Sequence, residues 1–248
     1  MIARPALARS DRARAVSIRR TATVIAAVLG AATYSAFLLA ALGPSKLPVA
    51  TSFPSELEAT GQPYSVWFRA ADAVSGLLII VAIVGLYRLD EVARRHWRAG
   101  AFMAAAGAAS VTDSITTMSC APSLSSACRA RDDTVTGLLG QTLESHTLSG
   151  LVGFLGAAGG MVLLGFAVRD QAAAWARASI ATGLVLAGVG LVDVVLLVAH
   201  GPFGVAERAR ALLVSLWLLG LAGFLCRPTR ASRVGADRLA TFTGEPGG

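Results

Sequence analysis

Charge is scarce in this chain. Asp, Glu, Lys and Arg make up 15% of its 248 residues against 54% hydrophobic, and mean hydropathy is +0.62. That is too little polar surface to cover a globule in water, which excludes an ordinary soluble domain. Proline is kept out of the apolar stretches: all nine lie in loops and tails, at positions 5, 44, 48, 54, 63, 122, 202, 228 and 246. Many secondary transporters build their sites from broken helices marked by Pro and Gly, so unbroken spans count against that class. The three histidines, His96, His146 and His200, all stand at the ends of apolar runs. A b-type haem needs histidines facing each other within the bilayer, so that class is excluded too. H-x-x-x-H, H-E-x-x-H, a Gly-rich phosphate loop and G-x-S-x-G are all missing, and no cofactor is expected. The pI near 10.3 comes without an aromatic or RNA-binding pattern, so no nucleic-acid partner is expected. Lys46 is the lone lysine beside abundant Ala and Arg, a composition that points to a GC-rich bacterial genome.

What the chain has instead is six apolar runs. Thr21–Leu42 and Thr147–Val168 carry no charge, and each is long enough as a helix to cross a hydrocarbon layer about 30 Å thick. Ala70–Tyr87, Ala99–Met118 and Ala178–Ala199 each carry one aspartate and no other charge. Ala211–Cys226 is the shortest, and reaches full length only if Arg208 and Arg210 snorkel to the interface. The predicted fold is an all-α integral membrane bundle of six transmembrane helices over residues 21–226. A basic tail, 1–20, precedes it and a second tail, 227–248, follows it, both expected to be disordered.

The arginines set the orientation. One side of the bundle takes Arg4, Arg9, Arg12, Arg14, Arg19 and Arg20, then Arg88, Arg94, Arg95 and Arg98, then Arg169 and Arg177, and last Arg227, Arg230, Arg233 and Arg238. The other side takes only Lys46, Arg69, Arg129, Arg131, Arg208 and Arg210. The positive-inside rule reads this as a multi-pass plasma-membrane protein with both termini cytoplasmic and its arginines against anionic lipid headgroups. The first run is too long for the apolar part of a cleaved signal peptide, and Leu39–Gly43 offers no small-x-small cleavage site, so the first helix is expected to be retained.

Asp72, Asp113 and Asp193 lie inside three of the runs, and the alternating topology brings them to nearly one depth under the outer surface. A carboxylate within hydrocarbon costs about 2.5–3.5 kcal/mol even on lenient insertion scales, so three at one level call for a shared explanation. Helical spacing adds Ser75 at i+3 from Asp72, and Ser110 and Thr117 at i−3 and i+4 from Asp113. His146 and His200 stand at the outer rim. A metal could take the two histidines with two aspartates, a hydrolase could attack a lipid ester or amide, and a proton could pass between desolvated carboxylates. The structural alternative is that the aspartates merely tie helices together through Ser and Thr. The candidate ligand-binding residues are Glu56, Asp72, Ser75, Asp113, Thr117, His146, Asp193 and His200, with Asp72 and Asp113 as the functional pair and Asp193 as the structural member. No catalytic residue and no metal is assigned. The leading reading is a pocket for a lipid or small polar ligand; the alternative is a membrane-embedded lipid hydrolase, with or without a metal.

Two further signals concern packing. Cys120 and Cys128 share an outer loop, where an oxidising compartment favours a disulfide over metal binding, while Cys226 at the far end of the last run is expected to be a reduced, buried thiol. Gly156 and Gly160 form a GxxxG, which serves packing within one bundle or, alternatively, a homo-oligomer. Membrane lipids are the other expected partners.

Several of these residues also form a recognisable pattern. Ser55-Glu56-Leu57, Gly61-Gln62-Pro63-Tyr64, Phe68, Asp72 and Gly76, followed by Asp113, the Cys120 and Cys128 pair around Pro122, and His146, resemble the domain of unknown function 998 family. The resemblance covers nearly the whole chain. It implies a multi-pass bacterial membrane protein and no activity, and it marks Glu56, Asp72, Asp113 and His146 as parts of family-like motifs.

Overall fold

A computed structural model describes residues 4–116, 118–130, 145–199 and 201–227, the side chains of 4–10, 12 and 145–147 excepted. Every regular element among them is helical. Six long helices carry the fold: α1 (Arg4–Tyr34), α2 (Ser65–Leu89), α3 (Trp97–Ile115), α4 (Ser145–Val168), α5 (Ala173–Val198) and α6 (Phe203–Cys226). Five of them are long and apolar enough to cross a membrane: Ala13–Tyr34 within α1, Leu148–Val168 within α4, and the whole of α2, α5 and α6. Five such helices suit a multi-pass membrane protein.

The run expected to be shortest is not the one that falls short. With Phe203 to Arg210 wound into its first turns, α6 reaches 24 residues. The helix outside the five is α3, with 19 residues, where Arg98 and Asp113 offset its run of alanines. The N-terminal segment also departs from expectation. It is helical from Arg4, consistent with the high helix propensity of Ala and Arg, rather than a disordered tail. At its other end α1 stops at Tyr34, and Ala36–Leu42, expected to finish the first helix, forms a 3₁₀ turn. Phe37 and Ala40 of that turn pack on Leu47, Leu57, Ala59 and Ala121, so burial draws the chain sideways into a roof. Cys226 is free as expected but exposed, not buried.

Each helix packs on its neighbour in the chain, and α6 returns to α1, so the six form a closed ring. Small residues permit the close crossings. A Cβ on Gly76 would lie 2.3 Å from the Gly107 carbonyl oxygen, so α2 and α3 meet backbone to backbone. Gly156 and Gly160 face α3, where added Cβ atoms would collide with the Phe102 carbonyl and the Met103 side chain. An oligomer joined through these two glycines would have to displace α3.

The ring is filled at one end and hollow at the other. Leu86, Met103, Met161, Leu164, Leu218 and Leu221 plug the half bearing the short 90–96 and 169–172 connections. There Trp175 stacks on Phe224, and the Trp217 indole donates to Ser179, which donates to the Met161 carbonyl. The outer faces stay apolar, with Leu191 68% and Leu216 62% exposed, as lipid contact demands. Trp67 at one end of the bundle and Trp97 at the other are exposed aromatic side chains suited to the two interfaces.

Candidate functional site

The roof over the hollow end is built by side chains that join loops. Glu56 lies in the 3₁₀ turn Pro54–Glu58 and is buried. Its Oε1 accepts from the Phe53 N–H at 3.0 Å, and its Oε2 accepts from the Ser123 N–H at 2.9 Å and from the Ser123 hydroxyl. Both oxygens are therefore engaged in holding the first loop to the second. The second loop is closed by a Cys120–Cys128 disulfide. Arg208, in the first turns of α6, donates to the carbonyls of Val49, Ser52 and Gly204 and to the Ser52 hydroxyl. The loop can come this close because Gly204 has no Cβ, which would lie 2.5 Å from the Ser52 carbonyl. Gly61 takes φ +86°, and Tyr64 follows at φ 61°, which turns the chain down into α2. The Gly61-Gln62-Pro63-Tyr64 stretch thus has a backbone reason.

Beneath the roof lies a cavity of about 1430 Å³ to which all six helices and both loops contribute. Its walls mix apolar side chains such as Phe37, Phe68, Phe154, Leu186 and Val214 with Glu58, Asp72, Asp113, Asp193, Glu207 and Arg210. The carboxylates reach it from four different helices and the roof.

Asp72 projects from α2, and its Oδ1 accepts from Ser110 Oγ of α3 at 2.7 Å. Ser75 is fully buried and donates to the Asp72 backbone carbonyl, not to its carboxylate; it also lies 3.2 Å from Ser110 Oγ. Asp113 of α3 accepts from Ser149 Oγ of α4. The i−3 pairing of Ser110 with Asp113 expected from spacing is thus replaced by bonds between helices. The rotation of α3 turns Ser110 toward α2, so Ser110 and Ser149 each serve the carboxylate of a neighbouring helix.

The third aspartate lies beside charged side chains. Asp193 Oδ2 lies 3.3 Å from Arg210 Nη1, and Arg210 Nη2 also donates to Glu207 Oε1. The guanidinium carbon sits 5.1 Å from the centre of the Phe154 ring, a cation–π contact, and the ring rests on Gly190. Asp193 Oδ1 is buried and has no hydrogen-bond partner.

Sequence reasoning missed Glu207, Arg210, Ser149 and Glu58 as members of this layer. A signal for the first two existed: they continue the buried stripe of Val214, Trp217, Leu218 and Leu221 at helical spacing toward the start of α6. Thr117 and His200 lie outside the described residues, as does the His146 side chain on the first turn of α4. Both imidazoles of the alternative histidine–aspartate metal set therefore lie outside them, and among the described residues no three His, Cys, Asp or Glu side chains converge as a metal shell. Glu58, half-buried in the roof, is pushed up from 4.5 to about 8, first by burial and then by the negative charges of Asp72 and Asp113, with Arg69 opposing them.

No curated protein and no solved structure matches the chain. A family model described as a protein of unknown function (DUF998) matches residues 24–223, which run from the middle of α1 almost to the end of α6 and take in the whole cavity. That match covers most of the sequence, and the chain belongs to the DUF998 family of proteins of unknown function.

Proposed function

We propose that this protein is a ligand-binding membrane protein of the plasma membrane, with six spans, both termini in the cytoplasm and the roofed cavity near the outer face. The arginine distribution supports that orientation, since the plugged end carries Arg88, Arg94, Arg95, Arg98, Arg169 and Arg177. The small-residue packing of α3 between α2 and α4 supports counting it as a span although its hydropathy is low.

The observation that carries the binding reading is the cavity itself. At about 1430 Å³ it is larger than typical small-ligand pockets of about 300–1,000 Å³, with mostly apolar walls and a few convergent polar groups. A carboxylate layer that only tied helices together would have no need of so large a hollow. The ligand class this suits is a lipid or a small molecule with one polar end. Glu56 and Arg208 act through the roof, while Asp72, Asp113, Asp193 and Glu207 face the ligand. The hydrolase reading gains no comparable support, since Ser110 and Ser149 are engaged as links between helices.

Purification in mild detergent followed by extraction and mass spectrometry tests the binding reading. A stoichiometric co-purifying molecule is expected, and it should be lost when Ala157, a small residue on the cavity wall, is changed to Trp to fill the hollow. An empty protein that also binds none of a panel of lipids and small amphiphiles would overturn it.

A further inference from the structure

The Asp193, Glu207 and Arg210 group is one positive charge short. Two carboxylates share a single guanidinium, at 3.3 Å for Asp193 and by a direct hydrogen bond for Glu207. The three side chains are 8%, 19% and 20% exposed. Asp193 Oδ1 has no donor at all. A buried carboxylate oxygen with no partner is costly, and such orphans in native structures call for an explanation. Arg210 does not supply the second bond, because Phe154 beneath it and Glu207 beside it hold the guanidinium where it is.

Beyond a proton shared between its two carboxyl groups, what would complete the group is a positive charge that can also donate a hydrogen bond. We propose that the cavity binds a protonated primary amine with an apolar body, its ammonium donating to Asp193 Oδ1 and neutralising the Asp193–Glu207 pair. This deepens the pocket reading above and rests on it. An anion is disfavoured because the one cation in this group is already shared by two carboxylates. An inorganic cation fits poorly, because hard ions such as Ca²⁺ take about six to eight oxygens. Unbroken helices use their carbonyls in their own ladders, so this part of the wall offers only a few side-chain oxygens. An apolar body has its own surface, since Val194, Leu197 and Phe203 line the same cavity next to the charged group.

Hexylamine and 1-hexanol separate charge from bulk. With full-length protein in detergent at neutral pH, calorimetry should show hexylamine binding at least tenfold more tightly than 1-hexanol. Hexyltrimethylammonium, which has the charge but no N–H, should bind less tightly than hexylamine. Asp193→Asn and Glu207→Gln should each weaken hexylamine at least tenfold more than they weaken 1-hexanol, with melting temperatures near wild type showing that the variants are folded. If Asp193→Asn does not fold, Glu207→Gln carries the test. Equal affinity for amine and alcohol, or amine binding untouched by the variants, overturns the amine assignment and leaves the pocket reading standing. So does stabilisation by sodium over choline that vanishes in Asp193→Asn, since the site would then belong to an inorganic ion. Failure of both hexylamine and 1-hexanol to bind counts against the pocket reading as well.

Discussion

Glu56 accepts hydrogen bonds at both carboxylate oxygens, and all its partners are donors. In Glu56→Gln the amide NH₂ must face either the Phe53 N–H or the Ser123 N–H, leaving a buried donor unmet. The expected loss is about 1–3 kcal/mol, read as a lower melting temperature in detergent. A variant as stable as wild type would mean that the two loops dock without this link. Glu58, a few ångströms of chain away, acts through its proton. Its pKa is raised to about 8 in the fold, so the folded protein holds that proton more tightly than the unfolded chain does. Its contribution to stability is complete below the unfolded value of 4.5 and is lost as pH rises through about 8. Melting curves across that range should therefore show wild type weakening relative to Glu58→Gln as pH rises. A constant gap between the two proteins would show that Glu58 titrates as it does in water.

Among the helices, glycine has two opposite roles. At the α2–α3 crossing a Cβ on Gly76 would meet the Gly107 carbonyl at 2.3 Å, and backbone cannot give way as a flexible side chain can. On α5, Gly188 has nothing within 4 Å of an added Cβ. Gly76→Ala should be strongly destabilising, by about 2 kcal/mol or more through forced separation of the helices. Gly188→Ala should be neutral or stabilising by up to about 1 kcal/mol, because alanine is the better helix former. Thermal unfolding of the two variants side by side checks both, and equal effects would deny the close crossing. The disulfide belongs to the same scale. Closing the loop between Cys120 and Cys128 should contribute about 2–3 kcal/mol on the chain-entropy account, so Cys120→Ser with Cys128→Ser should lower the melting temperature and remove the dependence on reductant.

Across the whole molecule, ring closure gives the cavity its form: α6 returns to α1, and the polar layer contributed by separate helices becomes one wall. Orientation in the membrane has a direct measurement. After replacement of the native cysteines, a single cysteine at Ser45 should react with a membrane-impermeant thiol reagent in intact cells, and one at Arg94 should not. The reverse pattern would put the cavity near the cytoplasmic face and remove the outer compartment from its chemistry.

The sequence by itself determined the all-helical class, the apolar helices and the cysteine pairing. Each of these is written locally: long apolar runs make helices in any lipid, and Asp72, Asp113 and Asp193 are costly there wherever the runs pack. Tertiary structure decided the partners. Spacing along one helix offered Ser110 to Asp113, but the rotation of α3 gives Ser110 to Asp72 and leaves Asp113 to Ser149 of α4. Asp193 read as the structural member because Val, Leu and Gly surround it in sequence, yet across the ring it meets Arg210 and Glu207 with one oxygen unpartnered. Glu56 read as a ligand candidate, and its oxygens hold two loops together. Which helix face turns inward, and which residue stands opposite, depends on how all six helices close into a ring, a property that no single stretch of chain carries.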